Sequence, residues 1–368
     1  MSATLTRRLR RAAAAAVCAA AVALPVSLAS AAVAQAVPRA PQIAGFTSLK
    51  LLNGWKNSPY GTAHAAARLS SGIVQLKGAM STSGTNAEAF VLPQADRPAT
   101  AVYTNVDLCG SAEGRLLVEP SGEVFVQVNN ESSSWSDAQC FTSLDGASFA
   151  RSASGFTSLK LQHGWKNSPY STSKAAVRVI NGIVHFKGAI FTGGTNAVPF
   201  TLPKGFRPAS NTYVNVDLCN AHNGRLYIQT SGVVTVNVET TWAQAKCFTS
   251  LDGATFARSA SGFTSLKLIN GWKGKAFGTA TPGARVINGV VQLRGAMDTG
   301  GTNTDPFTLP AAFRPASTVW VPVDLCNAHY GRLWIQPNGT VSVQVNTETS
   351  TWADAQCFTS IEGVSFAR

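Results

Sequence analysis

The chain has 368 residues, too many for one ordinary domain, and a formal charge of +12 spread as single Lys and Arg residues. No basic run or stripe tracks a phosphate backbone, so nucleic acid is not the expected partner. Beyond the first 36 residues no apolar stretch is long enough to span a bilayer, which predicts a chain with no stable membrane insertion once its leader is cleaved.

Residues 1–36 read as a secretory signal peptide. Arg7, Arg8, Arg10 and Arg11 form a basic start, an Ala-rich run follows from Ala12, and Ala34, Gln35 and Ala36 make a small-x-small cleavage site. A retained membrane anchor is the alternative; Pro25 and the cleavage site favour removal. Cys18 lacks the lipobox surroundings, with Ala15 and Val17 before it. Loss of the four arginines lowers the formal charge from +12 to +8. Residues 37–44 read as a linker.

Three copies of one module follow, over residues 45–154, 155–261 and 262–368. Each opens on Gly-Phe-Thr-Ser-Leu-Lys-Leu and closes on Phe-Ala-Arg, and Ser-Ala-Ser joins one copy to the next. Within each copy the pattern is β. In the first, Val74 and Leu76 alternate with Gln75 and Lys77. Leu116 and Val118 then face Val124, Val126 and Val128 across Ser121 and Gly122, which predicts a hairpin on a two-residue turn. Glycine and proline punctuate the chain, and no helical period persists. The expected fold class is all-β: three tandem antiparallel jelly-roll-like β-sandwich domains. Linkers this short imply packed modules. The copies are expected to surround a pseudo-threefold axis, one chain imitating a trimer; a linear rod is the alternative.

Without Cys18, six cysteines remain, two per copy: Cys109 with Cys140, Cys219 with Cys247, and Cys326 with Cys357. An exported chain with an even count predicts one bridge inside each copy. No CxxC or CxH spacing supports a metal, so neither metal nor cofactor is expected.

The order of motifs carries a resemblance. In the first copy Asn-Gly-Trp (53–55) precedes a Gly-Ile-Val-x-Leu-Lys-Gly stretch (72–78). Phe-x-Leu-Pro-x-x-x-Arg-Pro (90–98), Gly-Arg-Leu (114–116), Ser-Gly-x-Val (121–124) and Ser-Leu-Asp-Gly-x-x-Phe (143–149) follow. The series resembles the distal head domain of bacteriophage tail-fibre and receptor-binding proteins over nearly all of each copy. The resemblance implies a jelly-roll-like sandwich that assembles as a trimer and binds host-surface saccharide or protein. The export signal, the cysteine pairs and the absence of a fibre shaft depart from it, and point to a secreted bacterial protein using the same module.

Comparison among the copies sorts the polar residues. No His position is filled in all three, so a nucleophile–His–acid arrangement serving every copy is absent. Asp107, Asp217 and Asp324 repeat, as does the acidic position of Asp145, Asp252 and Glu362. Two carboxylates per copy would suit glycoside hydrolysis if they faced one cleft; the simpler role for Asp107 is a salt bridge or turn contact. Trp55, Trp165 and Trp272 occupy one repeated position and Trp135, Trp242 and Trp352 another, both expected to be structural.

Ligand-binding candidates come from the diverging loop after the first cysteine and the strand behind it. They are Asp217, His222, Asn223, Arg225 and Tyr227 in the second copy, and Asp324, His329, Tyr330, Arg332 and Trp334 in the third. His, Asn, Tyr and Arg together suit polar recognition with aromatic stacking. The second and third copies are therefore expected to bind better than the first, which has Leu117 where they have Tyr227 and Trp334. The chain is expected to be a non-enzymatic, extracellular or wall-associated, multivalent lectin-like binder of surface glycan or a cell-surface or secreted protein. The alternatives are an adaptor in a secreted assembly and a glycan hydrolase.

Overall fold

A computed structural model describes residues 45–368; the signal-peptide and linker assignments, and Cys18, lie outside the described residues. The protein is all-β, with antiparallel pairing throughout its sheets. In the first copy one sheet orders Thr47–Ser48, Ala66–Ser70, Ile73–Lys77 and Ser148–Ala150. A second orders Glu88–Val91, Glu123–Val128, Glu113–Val118 and Val102–Asp107. A short three-stranded sheet joins Thr142–Ser143, Ala79–Ser81 and Lys56–Asn57. The other copies repeat this, except that in the third the last two sheets merge through Asp324 and Leu325 paired with Ser360 and Thr359.

Period-2 alternation does what it implies: Leu116, Val118, Val124 and Val126 are buried, and each copy encloses its own apolar core. The hairpin turn is one residue longer than expected. Val118 pairs with Val124, and Glu119 N–H donates to the Glu123 carbonyl, leaving a three-residue loop that ends on Gly122 at φ 96°. A side chain there would strike Arg97, whose Nε is bonded to the Leu92 carbonyl beneath the turn. That clasp recurs at Arg207 and Arg314, and explains the repeated Arg-Pro.

Three short α-helices, Trp135–Cys140, Trp242–Cys247 and Trp352–Cys357, interrupt the β structure, each too brief to leave a helical period in the sequence. Each starts on a capping box, from Ser134 to Asp137, Thr241 to Gln244 and Thr351 to Asp354. Each carries the second cysteine to the first, with Cα atoms 5.7 Å apart in all three within-copy bridges. Trp55 is buried and meets Trp135 edge to face at 6.1 Å. Their indole N–H groups donate to the carbonyls of Asn86 and Gly84, which accounts for the repeated Gly-Thr-Asn.

The described residues, 45–368, fall in one compact unit, and the copies close on one another in a ring. Arg115 Nη1 lies 3.0 Å from Asp217 Oδ2, Arg225 Nη1 3.2 Å from Asp324 Oδ2, and Arg332 Nη1 2.9 Å from Asp107 Oδ2. First copy thus meets second, second meets third, and third meets first. Ser250, Ser360 and Ser143 make the same circuit, donating to the carbonyls of Tyr103, Tyr213 and Trp320. Parallel single bridges join Ala101 to Thr172, Asn211 to Thr279 and Thr318 to Thr62. A rod has no contact between first and third copies, so these pairs select the closed arrangement. The motifs Val-Asp-Leu-Cys, Gly-Arg-Leu and Cys-Phe-Thr-Ser are retained because each supplies a seam residue.

Candidate functional site

Two of the seams open outward on an aromatic cleft built from two copies, and the third carries the corresponding aromatic cluster. Between first and second, Tyr103 and Arg115 of one copy face Tyr170, Phe248, Cys219 and Asn220 of the next. Between second and third, Tyr213 and Arg225 face Phe277, Phe358, Cys326 and Asn327. These clefts have cavity volumes of about 120 Å³ and 90 Å³ and are open to solvent. Between third and first, Trp320 and Arg332 meet Tyr60 and Phe141.

The platforms rest on alternation along the strands. Val102 and Val106 turn into the core and Thr104 is buried against the second copy, so by alternation Tyr103 turns outward, as do Tyr213 and Trp320. Phe248 packs edge-on against Tyr103 at 5.0 Å, and Phe358 against Tyr213 at 5.0 Å. Arg115 lies over the Tyr103 ring at 4.8 Å and Arg225 over Tyr213 at 4.9 Å. Burial raises the Tyr103 phenol, and burial with the adjacent Tyr227 pushes Tyr213 up to about 12. Both therefore remain proton donors at neutral pH.

The rim is held by strain. Tyr60, Tyr170 and Phe277 occupy left-handed backbone at φ 56°, 52° and 52°, a region that bulky residues rarely visit. These residues stand 62%, 57% and 60% exposed, three of the four large hydrophobics exposed among the described residues. The turn is over-determined. Thr62, Thr172 and Thr279 donate back to the carbonyls of Pro59, Pro169 and Ala276, and the seam bridges hold the same threonines to the neighbouring copy. Tyr60 and Tyr170 place their hydroxyls 3.2 and 3.4 Å from the sulfurs of Cys140 and Cys247. Strain maintained at three equivalent positions to keep a ring in solvent marks a site and not a core.

No protein-family profile, characterised protein or solved structure matches the chain.

The ligand candidates read from the sequence divide in two. Arg225 lines a cleft and Arg332 lies at the corresponding seam. Tyr227 and Trp334 form a second layer, stacked on Tyr213 at 4.6 Å and on Trp320 at 6.2 Å, and so brace the platforms from behind. The others require correction, because they are turned into the seams and not toward a ligand. Asp217 and Asp324 are buried and paired with arginines. Asn223 is buried and donates to the Ala328 carbonyl, and the Tyr330 hydroxyl donates to the Val106 carbonyl. His222 is buried within 3.1 Å of Asn129 Nδ2, and half-buried His329 lies 3.3 Å from Glu239. Three copies meeting at one axis place Glu113, Asn223 and Tyr330 together, where identical side chains would collide or repel.

The carboxylates considered for hydrolysis are likewise enclosed. Burial raises Asp107, Asp217 and Asp252 to about 6 and Asp145 and Asp324 to about 7, against the opposing pull of the basic groups beside them. Asp145, Asp252 and Glu362 accept backbone N–H bonds from Gly78, Gly188 and Gly295. Sequence reasoning missed Tyr60, Tyr170 and Phe277; the available signal was an aromatic beside Gly or Ser in a repeated turn.

Proposed function

We propose that the protein is a secreted, multivalent, lectin-like binder whose ligand sites are the aromatic clefts between its copies. The observation that carries this reading is the trio of exposed rings, Tyr60, Tyr170 and Phe277, in strained backbone at equivalent places. A ring face beside an arginine and an amide suits a pyranose, whose C–H face stacks on the aromatic while its hydroxyls take hydrogen bonds. One chain presenting several such clefts raises apparent affinity by roughly 10² or more for a surface-borne ligand. Three disulfides fit an oxidising compartment, and no described helix is long and apolar enough to cross a membrane.

A glycan array probed with the chain lacking residues 1–36 tests the reading, beside the triple variant Tyr60→Gly, Tyr170→Gly and Phe277→Gly. Binding of a saccharide class that the triple variant loses supports it. An array with no retained saccharide, or equal binding by the variant, overturns it.

A further inference from the structure

We infer that only two of the three clefts bind, that their ligand is a neutral pyranose, and that Asn220 and Asn327 are the residues that equip them. This rests on the carbohydrate reading above and goes beyond it in naming which seams work and why.

The three seams share a plan but differ at two positions. Where the first two clefts present Asn220 and Asn327, the third presents Gly110, so that no side chain stands at this position of its wall. All three residues lie in the same left-handed turn, at φ 58°, 57° and 69°. Asn220 and Asn327 are exposed, and their amides have no hydrogen-bond partner among the described residues. Asparagine tolerates this backbone, but glycine fits it best. An amide placed there in two copies is thus not needed for the turn.

Platform size is the second difference. Tyr103 and Tyr213 become Trp320 in the third copy. The larger ring touches both facing aromatics, Phe141 at 5.1 Å and Tyr60 at 6.5 Å, so the third seam is filled by its own side chains. In the other two, the platform and the rim ring each pack edge-on against the phenylalanine, the platform at 5.0 Å and the rim ring at 5.7 or 5.5 Å, and no ring pair spans the cleft from platform to rim.

Neutrality follows from the charges. Arg115 and Arg225 are the only ionic groups among the lining residues of the two clefts. Each is already offset by a buried aspartate at the seam, Asp217 or Asp324. Nε and Nη1 of each are bonded within the protein, to Gln127, Asp217 and the Leu218 carbonyl for Arg115, and to Asn237, Asp324 and the Leu325 carbonyl for Arg225. Among the described residues Nη2 has no partner, leaving it and the asparagine amide as hydrogen-bonding groups without net charge. An acidic sugar gains nothing from such a cleft, whereas a hydroxylated ring finds donors, an acceptor and a stacking face.

The test counts sites. Equilibrium dialysis of the chain lacking residues 1–36 against cellotetraose, maltotetraose and tetra-N-acetylchitotetraose should give two equivalents bound per chain for at least one of them. Asn220→Gly and Asn327→Gly should each remove one, at tenfold or greater loss of affinity, and both together should remove binding. Both variants keep the turn, because Gly110 already occupies its counterpart. The converse change, Gly110→Asn with Trp320→Tyr, should raise the count to three; a side chain at Gly110 meets no atom within 4 Å. Three equivalents in the unaltered chain, or full binding by the double glycine variant, overturns the inference alone. No binding of any of the three saccharides overturns the carbohydrate reading, and the inference with it.

Discussion

Tyr170→Gly separates a strained site from a packed core. The residue is 57% exposed, so a little under half its surface is covered. An aromatic side chain buries about 200 Å² when enclosed. Loss of the covered part at about 25 cal/mol per Å² costs roughly 2 kcal/mol, as an upper bound. Against this, a non-glycine residue in the left-handed region costs about 1–2 kcal/mol, which glycine relieves. Glycine also adds about 0.5–1 kcal/mol of unfolded-state entropy. The net change is a loss of about 1 kcal/mol, small for the deletion of an aromatic ring; Phe256→Ala in the second core should cost about 3–5 kcal/mol. Equilibrium denaturation in guanidinium chloride measures both. A loss above about 3 kcal/mol for Tyr170→Gly would refute the argument that the turn is strained for the sake of the exposed ring.

Arg332→Gln should lower stability by about 3–5 kcal/mol at pH 8, because it strands the buried Asp107 at the seam that closes the ring; unfolding at pH 5, where Asp107 is protonated, should show a smaller deficit. The unaltered protein should melt higher at pH 5.5 than at pH 8. Asp107, Asp217, Asp252, Asp145 and Asp324 have folded pKa values of about 6 to 7, above their ordinary range. Their contribution is full below about pH 4 and is lost as pH rises through 6 and 7. His185, lowered to about 4 by burial and by Arg178, and His222, lowered by burial, oppose this with two groups against five; a melting temperature that falls steadily from pH 8 to 5.5 would contradict the assignment. Cys219→Ala with Cys247→Ala opens a loop with a sequence separation of 28 and should cost about 3–4 kcal/mol by calorimetry, in the chain-entropy model.

Much of the fold was legible because repetition amplifies weak signals. Alternating valines, Gly-marked turns and paired cysteines each recur three times, and the hairpins, cores and bridges follow them. The helices escaped because six residues show no period; only the Ser or Thr with an acid or amide three places on marked their starts. The site was half legible. Arg225 and Arg332 were found through their repeated Gly-Arg-Leu, but His222, Asn223 and Tyr330 were misplaced for a physical reason. Divergence between copies looks the same whether residues face different ligands or face each other across an axis. Asn220 and Asn327 stood in the same variable loop, one residue after the cysteine, and only the turn's backbone shows that they point outward.

The ring also has a consequence for connectivity. Arg151, Arg258 and Arg368 make the same backbone bond, each donating N–H to the carbonyl of Gly72, Gly182 or Gly289. Two of those arginines lead through Ser-Ala-Ser into the next copy; the third lies where such a link would begin, at a seam with the same contacts as the other two. Cutting the chain at one Ser-Ala-Ser and joining residue 368 to residue 45 with another would exchange one covalently linked seam for one held by the same hydrogen bonds, ion pair and backbone bridge without a link.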